Sequence, residues 1–128
     1  MVNNAGVMHS ANLADLTGAA FDEAMAVNLK SAVMMTQVSV KHLETSSLKA
    51  VVNVSSIAGL RAYPGAIAYK MSKAGMDQLT RCSAVELAPK GRLIFVHAEH
   101  TWIHGGGVDK GGCLSLEPKI VAPPPCRK

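Results

Sequence analysis

The sequence predicts an α/β chain built on a parallel sheet. Three observations lead there. The chain opens in what looks like the tail of a strand; two long stretches carry apolar residues at helical spacing; and short β-branched runs lie between and after them. The order strand, helix, strand, helix, strand is the pattern of a parallel sheet with crossover helices.

The elements follow in order. Met1-Val2-Asn3-Asn4-Ala5-Gly6 reads as a strand end running into a turn. Asp15, Thr17 and Gly18 give a helix-start signal ahead of Phe21. From about residue 19 to 43, Phe21, Met25, Leu29, Ala32, Met35 and Val38 recur at helical spacing with no Gly or Pro between them, which predicts one long helix. Val51-Val52-Asn53-Val54 reads as a buried strand over 49–55. Gly59, Pro64 and Gly65 punctuate a loop over 56–65. Ala68, Met71, Leu79 and Val85 predict a second helix over about 66–87, stopped near Pro89-Lys90-Gly91. Leu93-Ile94-Phe95-Val96 closes the pattern as a short strand. We therefore divide the chain into a partial sheet domain, 1–96, and an irregular tail, 97–128. The tail holds Gly105-Gly106-Gly107, Gly111-Gly112, Pro118 and Pro123-Pro124-Pro125. Such a composition raises the cost of ordering without supplying apolar periodicity, so regular structure is not expected there.

Composition limits the function classes. A length of 128 residues allows one domain at most. With 48% hydrophobic and 17% charged residues the chain is globular rather than disordered. Aromatics are only 4%, so the core falls to Ala, Val, Leu and Met. The net charge of +4 is spread without runs or interleaved aromatics, which predicts a solvated surface and no nucleic-acid partner. Cys82, Cys113 and Cys126 cannot close a disulfide set and fit no zinc spacing, which points to a reducing, cytoplasmic setting. No signal core and no run of 18 apolar residues occurs, so no membrane association is expected. His97, His100, His104 and Cys113 match no zinc class, and no metal is expected. Gly105-Gly106-Gly107 lacks the strand before and the helix after that a phosphate loop needs.

Chemistry concentrates on the second helix. Tyr69 and Lys73 stand at i and i+4, so their side chains converge on one face. A free tyrosine titrates near pH 10, too high for acid–base work at neutrality, and an adjacent ammonium stabilises the phenolate. Moving such a pKa by about three units takes about 4 kcal/mol. Ser56, at the end of a buried strand, is placed to hydrogen-bond a reacting oxygen. Asn28 lies mid-helix, where an amide is disfavoured unless it is used. Alone, each has a plainer reading: an exposed helix tyrosine, a surface lysine, a capping serine, a tolerated amide. Only their joint arrangement reverses it.

Four segments together resemble the short-chain dehydrogenase/reductase family. Asn3-Asn4-Ala5-Gly6 is similar to its N-N-A-G turn. Val27-Asn28-Leu29 is similar to the helix bearing its active-site Asn. Asn53-Val54-Ser55-Ser56 with Gly59 is similar to its serine-bearing strand, and Tyr69-Lys70-Met71-Ser72-Lys73 to its Y-x-x-x-K motif. The intervals agree as well: 13 residues from Ser56 to Tyr69, 28 from Asn28 to Ser56. The resemblance covers about residues 1 to 92. It implies a Rossmann-like, doubly wound sheet and an oxidoreductase that interconverts a carbonyl and a secondary alcohol, small molecules both. It implies NAD or NADP as cofactor, with the choice unreadable. It implies catalytic roles for Asn28, Ser56, Tyr69 and Lys73: Tyr69 as acid/base, Ser56 as hydrogen-bond donor, Asn28 holding water in a proton relay. Asn3, Ala5, Gly6, Tyr69 and Lys73 become the expected cofactor contacts. Self-association through the two long helices is an allowed assembly.

Two departures qualify the resemblance. The family's opening strand, its T-G-x-x-x-G-x-G turn and its second strand have no counterpart here, and no Pro-Gly follows Arg92-Leu93-Ile94-Phe95-Val96. The tail reads like a frame-shifted or alternative-exon end. The expectation is a fragment, weakly active or inactive alone. The alternative is a catalytically dead member that serves at most as a subunit-binding piece.

Overall fold

A Thr17 side chain starts the first helix, accepting a hydrogen bond from the Ala20 N–H at 3.2 Å. In the computed structural model, which describes residues 1–87, 94–99 and 119–120, that helix (α1, Gly18–Met25) does not run on unbroken. A π-helical turn, Ala26–Lys30, joins it to α2, Ser31–Thr45. The single long helix expected from the spacing is thus one continuous rod with a widened turn in its middle. Asn28 sits in that turn. Such turns gather at functional sites because the added residue re-aims a side chain.

Strands β1 (Val2–Asn3), β2 (Ala50–Ser55) and β3 (Ile94–Glu99) are parallel and adjacent in that order. Val2 pairs with Val52, and Ala50 to Ser55 pair with Ile94 to Glu99. This is the parallel α/β arrangement that the alternation predicts. β4 (Lys119–Ile120) adds an antiparallel strand beside β3. Two expectations need correcting here. The last parallel strand runs to Glu99 rather than stopping at Val96, and Lys119–Ile120 carries regular pairing inside the stretch expected to have none. A strand pair needs only backbone partners, which Gly/Pro-rich flanks do not forbid. The rest of 97–128 lies outside the described residues, and with it His100, His104 and Cys113 of the set expected to hold no metal.

The alternation of β2 sends Val51, Asn53 and Ser55 to one buried face. There Asn3 reaches Thr36 of α2, and Asn53 reaches Thr80 of α3 (Ile67–Leu87). Both helices therefore cover the same face. On the opposite face Val2 is 62% exposed. One small apolar cluster joins Leu43, Val51 and Ala84, flanked by Met1, Val40 and Leu87, while Met76 and further alanines are buried elsewhere. No helix among the described residues is long and apolar enough to cross a membrane.

Two glycines let elements approach more closely than a side chain allows. A Cβ on Gly75 of α3 would fall 2.6 Å from the Leu29 side chain in the π-helical turn. A Cβ on Gly59, in the 3₁₀ turn Ile57–Gly59, would fall 2.9 Å from backbone atoms of Lys73 and Ala74. Leu29 can rotate aside, but the α3 backbone cannot. Gly59→Ala is expected to destabilise the chain by about 1–3 kcal/mol through overpacking, read as a lower urea midpoint at unchanged slope.

Candidate active site

The site grows where β2 ends, α3 begins and the π-helical turn leans on both. Asn28 is wholly buried, and its amide forms a reciprocal pair with the turn after β1. The Val7 N–H donates to Asn28 Oδ1 at 2.7 Å, and Asn28 Nδ2 donates to the Val7 carbonyl at 2.8 Å. Its second N–H goes to Ser72 Oγ at 2.9 Å, and Ser72 in turn donates to the Tyr69 carbonyl at 2.7 Å. Asn28 thus ties the turn holding Ala5 and Gly6 to the helix bearing Tyr69. Both amide hydrogens are spent, so a water held by Asn28 would need its remaining Oδ1 lone pair or its backbone.

Lys73 is 4% exposed and donates from Nζ to the Val54 carbonyl at 2.8 Å. Nζ stands 5.5 Å from the Tyr69 ring centroid. Gly6 closes the other side: a Cβ there would be 3.6 Å from Asn28 Oδ1 and 3.9 Å from Lys73 Nζ. Burial lowers the Lys73 ammonium below its usual range, and the Asp77 carboxylate opposes that shift. Tyr69 is half-buried at the helix start.

Ser56 is buried, and its oxygen accepts from the Ala58 N–H at 3.2 Å, capping the 3₁₀ turn. Its own proton stays available. Among the described residues no direct hydrogen bond joins Ser56 to Tyr69. The loop between them is held by Lys70, whose Nζ donates to the Tyr63 and Gly65 carbonyls and lies 3.7 Å above the Tyr63 ring. Gly65 and Ala66 then take positive φ, 78° and 50°, as α3 begins; an alanine there carries a local strain of about 1–2 kcal/mol.

Of the expected residues, Asn28, Gly6 and Lys73 are brought together, with Tyr69 beside them. Ala5 and Gly6 are exposed and accessible to a ligand. The Asn3 side chain faces the interior, donating to Asn53 Oδ1 at 2.7 Å and Thr36 Oγ1 at 3.2 Å, so only its backbone is left for a cofactor. Sequence reasoning passed over Ser72 and Asp77, both on the Lys73 face of α3. Their spacing from Tyr69 and Lys73 was the available signal.

Comparison with known proteins bears on the family and the fold. The short chain dehydrogenase family profile matches residues 1–103. A 3-oxoacyl-(acyl-carrier-protein) reductase of Thermotoga maritima is 39% identical over 98 residues, which is 77% of this chain and 39% of that protein. A cyclopentanol dehydrogenase of Comamonas is 35% identical over 89 residues, 70% of this chain and 36% of that protein. The solved structure of NADPH-bound carbonyl reductase from chicken fatty liver superposes with a TM-score of 0.68 at 26% identity, covering 75% of this chain and 43% of that one. The chain thus spans well under half the length of these relatives.

Two outcomes follow from the buried polar groups. Asn28→Leu keeps the branched shape, is bulkier, and leaves the Val7 amide without its acceptor and Ser72 without its donor, and is expected to cost on the order of 2–4 kcal/mol in urea unfolding. Because Lys73 binds its proton less tightly when folded, the unfolded chain holds the extra proton between the lowered value and 10.5. Stability should therefore rise with pH through that window. Lys73→Met should flatten this rise, seen in urea midpoints taken from neutral pH to about 10.5.

Proposed function

The chain belongs to the short-chain dehydrogenase family, and we propose that it carries the proton-transfer side of an oxidoreductase site that interconverts a carbonyl and a secondary alcohol. The observation that carries this reading is the buried Lys73 ammonium, 5.5 Å from the Tyr69 ring and walled in by Gly6 and Asn28. In the reducing direction the Tyr69 hydroxyl gives its proton to the carbonyl oxygen. The Ser56 hydroxyl, whose oxygen already accepts from Ala58, donates a hydrogen bond to the same oxygen. Lys73 stabilises the phenolate left on Tyr69. Asn28 acts by holding the Val7 turn and Ser72 in place. Relatives named for cyclopentanol and for a 3-oxoacyl group fit a secondary alcohol or ketone as substrate class.

The cofactor would be NAD or NADP, supplying or accepting the hydride at the carbonyl carbon. The residues present fit its nicotinamide end. Ala5 and Gly6 are exposed. One of the three Lys73 donors goes to the Val54 carbonyl. Tyr69 is half-buried. Among the described residues no strand, glycine-rich turn and helix follow one another in the way that grips a pyrophosphate. The 128-residue chain by itself should therefore bind the dinucleotide poorly and turn over little.

Apolar Met34, Met35 and Val38 are exposed along α2 and favour a second reading: a chain that acts by binding another subunit through its long helices.

Two measurements test the proposal. Residues 1–99 exchanged into the cyclopentanol dehydrogenase should give a folded chimera that oxidises a secondary alcohol. Tyr69→Phe in that chimera should lose about 100-fold or more of the turnover; unchanged turnover would sink the assignment. Fluorescence titration of the 128-residue chain with NADH and NADPH should saturate only above about millimolar. Micromolar saturation would mean that the cofactor grip lies within these residues.

A further inference from the structure

We propose that Asp77 is a positioning residue of this site: one buried carboxylate that grips the segment carrying Ser56 from both sides and holds the Lys73 ammonium beside Tyr69 by its charge. This rests on the functional reading above and adds to it a residue that the family motifs quoted earlier do not include.

Asp77 follows Lys73 by one helical turn and is 3% exposed. A carboxylate in that position is costly unless it is hydrogen-bonded and charge-balanced. Ser55, immediately before Ser56, donates to Asp77 Oδ1 and also lies 3.3 Å from the Lys73 carbonyl. Gly59, three residues after Ser56, packs so closely that a Cβ there would be 3.0 Å from Asp77 Oδ2. The carboxylate therefore meets the chain just before and just after Ser56. It fixes where the Ser56 hydroxyl stands relative to α3 and so to Tyr69.

The same charge acts on Lys73. Burial disfavours the ammonium, and the carboxylate works against that. The other titratable group against Lys73 on α3 is Tyr69. β2 offers the Val54 carbonyl, the π-helical turn offers Asn28 and the turn after β1 offers Gly6, none of which titrates. On the neighbouring strand the register sets Glu99 opposite Ser55 and His97 opposite Asn53. Glu99 is thus the acid to test against.

The test reads Lys73 directly, without cofactor or turnover, so that its failure is separate from failure of the proposed function. In the isotope-labelled 128-residue chain, the Lys73 ¹³Cε shift is followed against pH. In Asp77→Asn its midpoint should move to lower pH, by more than twice any movement in Glu99→Gln, and Asp77→Glu should recover most of it. A folded Asp77→Asn with an unmoved Lys73 midpoint overturns the proposal. So does a shift no larger than that of Glu99→Gln. Should Asp77→Asn fail to fold, the unmodified chain still decides: the Asp77 ¹³Cγ signal should respond at the Lys73 midpoint, and no response there overturns the proposal.

Discussion

The constraint on which this structure depends is the satisfaction of buried polar groups. Among the described residues the buried apolar side chains are mostly alanines, with Leu43, Val51 and Met76 the larger ones. Asn3, Asn28, Thr36, Asn53, Ser55, Ser72, Lys73, Asp77 and Thr80 are as deeply buried. Each must find partners or cost on the order of 1–3 kcal/mol. They find them across elements. Asn3 joins β1 to α2 and β2, Asn53 joins β2 to α3, and Asn28 joins the π-helical turn to α3. Sliding β2 by one residue would turn Asn53 and Ser55 away and bring Val52 and Val54 to α3. The polar seam therefore adds to the packing of Val51 in fixing register.

Much of this was legible in the sequence, for identifiable reasons. Val51-Val52-Asn53-Val54 announces a buried strand because β-branched residues fit nothing else so well there. Thr17 announces a helix start because its hydroxyl can meet an orphan N–H. Tyr69 and Lys73 announce a shared face by spacing alone. The π-helical turn was not legible: no Gly or Pro marks it, and it exists because the Asn28 amide meets the Val7 backbone, a contact 21 residues distant. Asn28 itself gave the hint, as an amide at an apolar-spaced position. Asp77 was not singled out because an acid on a helix is usually solvated, and only the packing of Ser55 and Gly59 against it makes it otherwise. Likewise β4 rests on pairing with β3, which Pro118 and its neighbours do not advertise.

The site draws on the same seam, and this creates a tension. Lys73 is destabilising as a buried cation, yet its burial is what places an ammonium against Tyr69 out of competition with water. In a low dielectric the ammonium acts on a neighbouring phenolate more strongly than it could on the surface. Asp77 limits the cost, and the Val54 carbonyl takes one donor. A site of this kind is strained by its charges rather than its backbone, Ala66 excepted.

The proton-transfer side and the dinucleotide grip are built from different stretches of chain. The first, as proposed above, draws on the end of β2, the start of α3 and the π-helical turn. The second needs a helix N-terminus and glycine amides aimed at a pyrophosphate. Nothing in the hydrogen bonds that hold Asn28, Ser56 and Lys73 calls on a bound dinucleotide: their partners are Val7, Ser72, Ala58 and Val54. The proposed acid–base side chains thus have partners within the protein itself, and a bound cofactor would add the hydride.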